Sequence, residues 1–111
     1  MFEQFLDPNK LMNTGVGPAV EPGLTQKQMK IQSLCGELSE TLIRKNHDYG
    51  DSVHDTYMEY GPVSFLVRIA DKINRIKELS GGTDPVVGDE KLKDTVMDLA
   101  GYAILFAAEL E

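Results

Sequence analysis

The stretch from Thr95 to Ala108 constrains the fold most strongly, because Asp98 is its one charged residue. The other side chains are apolar, small or uncharged, and no proline interrupts them. A helix that is apolar on nearly all sides is buried on most of them. A chain of 111 residues supports one small domain, so other helices and a second copy of the chain are needed to cover this one. We therefore predict an all-α fold that is completed by oligomerisation.

A second apolar period lies upstream and follows a helix-start signal. Thr25 and Gln28 have the spacing of a capping box, in which each side chain binds the backbone amide of the other residue. Apolar residues then recur at steps of three and four, the period of one helical face. These residues are Ile31, Leu34, Cys35, Leu38 and Leu42. The pattern predicts a helix over about 25–47, with Cys35 in the core.

A third period starts after Pro62, a residue suited to the first turn of a helix, and stops at the glycines after Ser80. Its predicted buried stripe is Val63, Leu66, Ile69, Ala70, Ile73 and Ile76. The whole pattern predicts an antiparallel bundle of three long helices, over about 25–47, 62–80 and 89–110. Residues 1–24 contain several prolines and glycines and are predicted to form an irregular N-terminal arm, which leaves residues 25–111 as the helical domain.

The segment between His47 and Gly61 is polar and aromatic and lacks a clear period of either kind. We predict a loop there that contacts a ligand. His47 and His54 are predicted to be surface residues and not zinc ligands, because no third soft ligand stands at a usable spacing.

The charge balance limits the partners of the chain. Eleven Lys and Arg oppose eighteen Asp and Glu, which gives a net charge of −7, whereas nucleic-acid binding requires clustered cations. No run approaches the ~18 apolar residues of a membrane span, and the N-terminus lacks the pattern of a secretory signal. We expect a cytoplasmic protein, in the cytoplasm of a bacterial host if phage-encoded, that contacts neither membranes nor nucleic acid directly.

Asp98 also points to chemistry, because a buried carboxylate needs a partner or a metal ion. Asp94 lies one turn earlier on the same face, and Gly101 one turn later leaves room for a close approach. Carboxylates at this spacing suit a hard divalent cation, Mg²⁺ or Mn²⁺. The alternative is a buried salt bridge between Asp98 and one of the cations Arg68, Lys72 or Arg75.

The first helix offers a second carboxylate pair, Glu37 and Glu40, at i and i+3. Two such pairs on two helices could enclose a metal ion between them. Pairs of this kind are also common on solvated faces, and Glu40 with Arg44 is an ordinary i, i+4 ion pair. Both interpretations remain open for Glu37 and Glu40.

Charged residues on the second long helix likewise have two interpretations. Asp71 and Arg75 form a routine surface pair at i, i+4. Alternatively, Lys72 and Arg75 bind phosphate oxygens and Asp71 joins the metal ligands. A second group that could contact phosphate and base follows the first helix: Lys45, Asp48 and Tyr49.

Four segments of the sequence carry family resemblances. Glu37-Leu38-Ser39-Glu40 and Asp94-Thr95-Val96-Met97-Asp98 resemble the acidic motifs of the all-α nucleoside triphosphate pyrophosphatase superfamily, the MazG-like and dimeric dUTPase group. The blocks 45–52, 68–75 and 94–102 look more closely like the phage and bacterial family called nucleotide modification associated domain 1. The resemblance spans about residues 30–110.

The superfamily resemblance implies an α-helical homodimer or homotetramer that binds Mg²⁺ and cleaves a nucleoside triphosphate to a monophosphate and pyrophosphate. Carried over, Glu37, Glu40, Asp94 and Asp98 would be metal ligands, with Glu37 or Glu40 as the catalytic base. The phosphates would be bound by Lys72 and Arg75, with Arg68 beside them, and Tyr49 would stack on the base. The alternatives are a nucleotide-binding protein without turnover on the same scaffold, or a helical adaptor whose acids only pair with arginines.

Overall fold

The computed structural model of the protein describes residues 23–81 and 85–111, and 88% of these residues are helical with no strand among them. The prediction of an all-α fold is confirmed. Within the described part the chain forms four helices, not three. They are α1 (Gln26–Tyr49), α2 (Ser52–Tyr60), α3 (Val63–Ser80) and α4 (Pro85–Glu109). Residues 1–22 of the predicted N-terminal arm lie outside the described part of the chain.

The chain divides into two compact units, residues 1–34 and 35–111. In the first unit, α1 begins with the predicted capping box. The amide of Thr25 donates to Gln28 Oε1 at 2.9 Å, and the amide of Gln28 donates to Thr25 Oγ1 at 3.1 Å. Two amides that lack helical partners are thereby satisfied at the helix start.

Helix α2 corrects the prediction of a loop between residues 47 and 61. Its half-buried residues are Val53, His54, Thr56 and Tyr57, which is a helical spacing. Gly50 and Gly61, with φ of 70° and 73°, lie just outside its two ends, and the amide of Gly61 donates to the carbonyl of Tyr57 at 2.7 Å. A left-handed backbone favours glycine at both positions. The helix between these glycines has only nine residues. Its apolar period is therefore too short to be recognised in a polar sequence.

Helices α3 and α4 pack against each other in antiparallel fashion, as their contacts show. The rings of Phe65 and Phe106 stack with centroids 4.8 Å apart, the Arg68 guanidinium lies 5.8 Å from the Tyr102 ring centroid, and Lys72 Nζ is 3.4 Å from Asp98 Oδ2. The partner on α4 moves back along the chain as the residue on α3 moves forward. Tyr57 of α2 adds a third ring, 5.8 Å from that of Phe65. The antiparallel bundle as a whole remains a prediction beyond this pair.

Helix α4 begins at Pro85, four residues before the predicted start near residue 89. A proline at the first helical position loses no backbone hydrogen bond, because the first amides of a helix have no partner within it. Pro85 therefore starts this helix. The other end of the connection was predicted correctly: α3 stops at Ser80, with Gly81 as its C-cap.

The predicted buried stripe of α3 is rotated relative to the packed face. Phe65 is the residue of α3 that is fully buried, at 1% exposure, whereas Leu66 is 56% exposed and Ile73 is 42% exposed. Arg68 and Lys72 lie half-buried on the packed face. The correction has a physical cause, since α4 and α3 meet through aromatic and charged contacts that a count of apolar residues does not reveal.

Helix α4 is less covered than its composition predicts. Thr95 and Gly101 are buried, and the Thr95 hydroxyl donates to the Lys91 carbonyl at 2.9 Å. Ile104, however, is 54% exposed. Cys35 on α1 is also exposed, which corrects its predicted place in the core. None of the described helices is both long enough and apolar enough to cross a membrane.

Candidate functional site

An open groove with a volume of about 670 Å³ lies in the second unit between α1 and α4, and we call it the α1–α4 groove. Its end is formed by the residues that join α1 to α2, and Arg68 reaches it from α3. It collects seven residues that the sequence predicted for a site. They are Glu37, Glu40, Lys45, Tyr49, Arg68, Asp94 and Asp98.

The α1 wall of the groove is held against α4 at Gly101. A Cβ placed there would lie 3.3 Å from Leu42 Cδ2 and 3.6 Å from Leu38 Cδ1. The missing side chain thus gives the leucines of α1 a close approach to the α4 backbone. Glu37 and Glu40 stand beside this contact on α1, so the approach sets the width of the groove at its acidic end.

The α4 wall carries Asp94 and Asp98 one turn apart, as predicted. Lys93 and Tyr102 also line this wall, and sequence reasoning missed both. A signal was present for Tyr102, because it follows Asp98 by one turn on the same helical face. Lys93 is turned by about 100° from its neighbour Asp94, so that face did not indicate it.

Asp98 is not buried, which corrects the prediction of a buried carboxylate at this position. Its side chain is 51% exposed, and its Oδ2 lies 3.4 Å from Lys72 Nζ. Of the cations that the sequence offered as partners, Lys72 is therefore the one that pairs with it. Exposed ion pairs of this kind contribute at most about 1 kcal/mol. An exposed carboxylate is stable without a metal ion. Asp98 remains a candidate site residue because it lines the groove.

The acidic residues of the groove supply oxygen ligands that suit Mg²⁺, but they do not form a complete coordination shell. Carboxylate oxygens are the ligands that Mg²⁺ prefers. Among the described residues, however, no three His, Cys, Asp or Glu side chains stand close enough together to hold an ion. This arrangement fits a magnesium ion that takes one or two carboxylates from the protein and further ligands from substrate phosphates, which is a common mode for this ion.

The end of the groove is shaped by the turn between α1 and α2. The Asn46 amide donates to Asp51 Oδ1 at 3.2 Å across this turn, and Gly50 between them adopts a φ of 70°. Tyr49, at the last position of α1, is 75% exposed and lines the groove. An exposed ring at the edge of a groove offers a surface on which a planar base can stack.

Four predicted site residues do not line the groove. Asp71 and Arg75 are exposed on α3, and no ion pair joins them in the described part of the chain. Asp48 Oδ1 lies 3.3 Å from His47 Nδ1 at the end of α1. Lys72 pairs with Asp98 but does not itself line the groove.

A histidine contact outside the groove ties α2 to the end of α4. His54 Nδ1 lies 2.8 Å from both carboxylate oxygens of Glu109. The hydrogen bond to Glu109 raises the pKa of His54 above its usual value, and the charges of Glu109, Asp51 and Asp55 act in the same direction. The side chain of His54 is 44% exposed, so the prediction of a surface residue captured its accessibility but missed its partner.

These features define an all-helical protein with an open groove that combines carboxylates, cations and an exposed tyrosine. The sequence pattern of the family described as nucleotide modification associated domain 1 matches residues 45–110, more than half of the chain. The chain belongs to this family. The match begins at Lys45 and so includes Asp94 and Asp98 but not Glu37 and Glu40. Neither the curated proteins nor the solved structures gave a match.

Proposed function

We propose that the protein is a Mg²⁺-dependent nucleoside triphosphate pyrophosphohydrolase that binds its substrate in the α1–α4 groove. The observation that carries the proposal is the convergence of Glu37 and Glu40 with Asp94 and Asp98 in one cavity. These residues stand more than fifty positions apart in the sequence, and they are the acidic motifs that resemble the MazG-like superfamily. Membership of the nucleotide modification family supports a nucleotide as the ligand.

The charge of the groove favours a divalent cation. Its lining includes three cations, Lys45, Arg68 and Lys93. It also includes five carboxylates, those of Glu37, Glu40, Asp51, Asp94 and Asp98. A triphosphate entering this excess of negative charge would be repelled, whereas one Mg²⁺ ion offsets two charges. We therefore expect nucleotide binding to depend on the ion, with Mn²⁺ as a substitute.

The residues of the groove have distinct roles in this proposal. Asp94 and Asp98 on α4 would hold the ion, with phosphate oxygens of the substrate as further ligands, and the ion would supply charge neutralisation and a water of lowered pKa. A glutamate of α1, Glu37 or Glu40, would accept the proton of the attacking water. Lys93, Lys45 and Arg68 would bind phosphate oxygens, and Tyr49 would stack on the base.

A second candidate is a nucleotide-binding protein without turnover on the same scaffold. The Lys72–Asp98 contact favours it, because an ammonium beside this carboxylate competes with a metal ion. Such a protein would retain Lys45, Tyr49 and Arg68 for binding and would not require all four carboxylates of the acidic motifs.

The test is to incubate the full chain with each common nucleoside and deoxynucleoside triphosphate and to measure monophosphate and pyrophosphate. We expect turnover with Mg²⁺ and none in excess chelator. Asp98→Asn and Glu40→Gln should each lower kcat by a factor on the order of 10² or more, as is typical for loss of a general base or a metal ligand. Glu59→Gln is the matched control, since Glu59 is exposed on α2 and outside the groove.

The result also separates the two candidates. Binding of a non-hydrolysable triphosphate without pyrophosphate release from any substrate would contradict the enzyme and support the binder. Absence of both binding and turnover, together with an unchanged Tm in millimolar Mg²⁺, would overturn both and leave the helical adaptor, because a ligand of the native state raises Tm.

A further inference from the structure

One ion pair joins α3 to a proposed metal ligand of the groove. Lys72 Nζ lies 3.4 Å from Asp98 Oδ2, and the side chain of Lys72 is 26% exposed whereas that of Asp98 is 51% exposed. Asp98 lines the groove, but Lys72 does not. The ammonium therefore reaches the carboxylate from the α3 side, while Asp98 keeps its access to the groove.

The register of the two helices sets this pair. Lys72 follows Arg68 by one turn on α3, and Asp98 precedes Tyr102 by one turn on α4. The ion pair is thus the next contact along the helices after that of the Arg68 guanidinium with the Tyr102 ring. Packing of α3 against α4 brings a built-in cation to the carboxylate that the groove would offer to a metal ion.

A metal ion has to compete with this ammonium. An ion on either oxygen of Asp98 would lie within a few ångströms of Lys72 Nζ, and the two positive charges would repel each other. The groove offers a free ion little in return, because no three His, Cys, Asp or Glu side chains in the described ranges stand close enough together to hold one. We therefore expect Mg²⁺ alone to bind weakly.

A triphosphate removes both obstacles. Its oxygens complete the ligands of Mg²⁺, which takes only one or two carboxylates from the protein at many phosphate sites. They also offer the ammonium of Lys72 another acceptor. Arg68 lines the groove one turn before Lys72 on the same face of α3, so a phosphate that binds Arg68 lies on the side to which the flexible stem of Lys72 can turn.

We infer that Lys72 makes ion binding conditional on the nucleotide, because it pairs with Asp98 in the free protein and turns to a phosphate oxygen when the triphosphate and Mg²⁺ bind together. The inference rests on the proposed function, since it concerns the ion and the nucleotide of that same groove. Lys72 is then a positioning residue that lets the groove distinguish the ion–nucleotide complex from the free ion. The coupling is reciprocal, so the ion also strengthens nucleotide binding.

The test compares Lys72→Met with the matched control Lys77→Met. Lys77 is exposed on the same helix and lies outside the groove, and both variants lose one positive charge. Mn²⁺ without nucleotide is the probe, because electron paramagnetic resonance measures the free Mn²⁺ in a titration of the full chain. Lys72→Met should bind Mn²⁺ about fivefold more tightly than the wild type, a factor at the upper end of the range for an exposed ion pair. Lys77→Met should match the wild type.

A second measurement should give the opposite sign. Calorimetry with a non-hydrolysable triphosphate in millimolar Mg²⁺ should show weaker binding to Lys72→Met, since a phosphate loses its ammonium, and unchanged binding to Lys77→Met. A residue that only stabilises the fold would not move the two affinities in opposite directions. In an Asp98→Asn background, Lys72→Met should leave Mn²⁺ binding unchanged, because the carboxylate through which Lys72 acts is gone.

The inference is overturned if Lys72→Met binds Mn²⁺ no more tightly than Lys77→Met does. Circular dichroism shows whether Lys72→Met remains helical. If it does not, Lys72→Gln takes its place in the same comparison, with the same expected and contrary results.

These outcomes can be told apart from those of the proposed function. Pyrophosphate release by the wild type, with equal Mn²⁺ binding by Lys72→Met and Lys77→Met, would refute the role of Lys72 and leave the enzyme. Opposite shifts of the two affinities without pyrophosphate release would support Lys72 and leave the nucleotide-binding protein without turnover. Absence of Mn²⁺ binding and of nucleotide binding in every variant would overturn both proposals.

Discussion

The two sides of the α3–α4 pair are built from the same two helices and differ in their chemistry. On one side, Arg68 of α3 joins Asp94 and Asp98 of α4 in the α1–α4 groove. On the other side, Leu66 of α3 is 56% exposed and Val96 of α4 is 44% exposed. The difference teaches that a hydrophobic period identifies a helix reliably but does not say which of its faces packs within its own chain. Here the packed face contains charged side chains, and much of the apolar stripe points outward.

The largest expected effect is a loss of stability, and it follows from changing a residue in the core that both sides share. Phe65→Ala should lower the free energy of unfolding by about 3–5 kcal/mol, because it removes the buried ring that Tyr57 and Phe106 contact. Denaturant unfolding measures the change, and nucleotide binding should weaken as well. Tyr60→Ala, at a ring that is 62% exposed, is the control. A loss no greater than that of the control would mean that the two sides do not depend on a common core.

The next effect is confined to the groove side. Gly101→Val should destabilise the protein by about 1–3 kcal/mol, because the added atoms meet the ends of Leu38 and Leu42 and must push α1 away from α4. It should also weaken nucleotide binding. Gly36→Val is a matched control, since a Cβ at Gly36 meets no atom within 4 Å. Equal effects of the two substitutions on Tm would show that Gly101 does not set the groove.

The smallest effect concerns a contact that belongs to neither side. Because the pKa of His54 is raised in the folded protein, its pairing with Glu109 stabilises the fold fully below the unfolded value near 6.5, provided that Glu109 is ionised. That stability is lost as the pH rises through the folded pKa. The Tm difference between wild type and His54→Gln should therefore be largest near pH 6 and should decline as the pH rises through the folded pKa of His54. His47→Gln, at an exposed histidine, is the matched control. A constant difference for His54→Gln would refute the pairing.

The long elements of the fold could be predicted because their signals are local. The capping box at Thr25 and Gln28 forms as its spacing predicts, and α3 stops where the glycines follow Ser80. Helix α2 could not be predicted from apolar residues, because its stability depends on Tyr57 packing against rings from α3 and α4. Such contacts join residues far apart in sequence and leave no period in a two-turn helix.

The candidate site was predictable in part for a similar reason. Glu37, Glu40, Asp94 and Asp98 were identified from their spacing, and these four residues line one cavity. Tyr102 could have been found on the helical face of Asp98, one turn later. Lys93 lies on another face of α4, and Asp51 enters the groove through the turn that the Asn46 hydrogen bond closes, so neither could be found from that face. The pairing of Asp98 with Lys72 depends on the register between α3 and α4, which no single-helix pattern contains.

The antiparallel register also determines which changes of length the protein can accept. Phe65, Arg68 and Lys72 meet Phe106, Tyr102 and Asp98 in strict succession. One residue inserted within α4 would turn every later side chain by about 100° about the helix axis. The residues after the insertion would then no longer face their partners on α3. Homologues and engineered variants should therefore gain or lose residues in the connection between Ser80 and Pro85, while the helices themselves keep a fixed count.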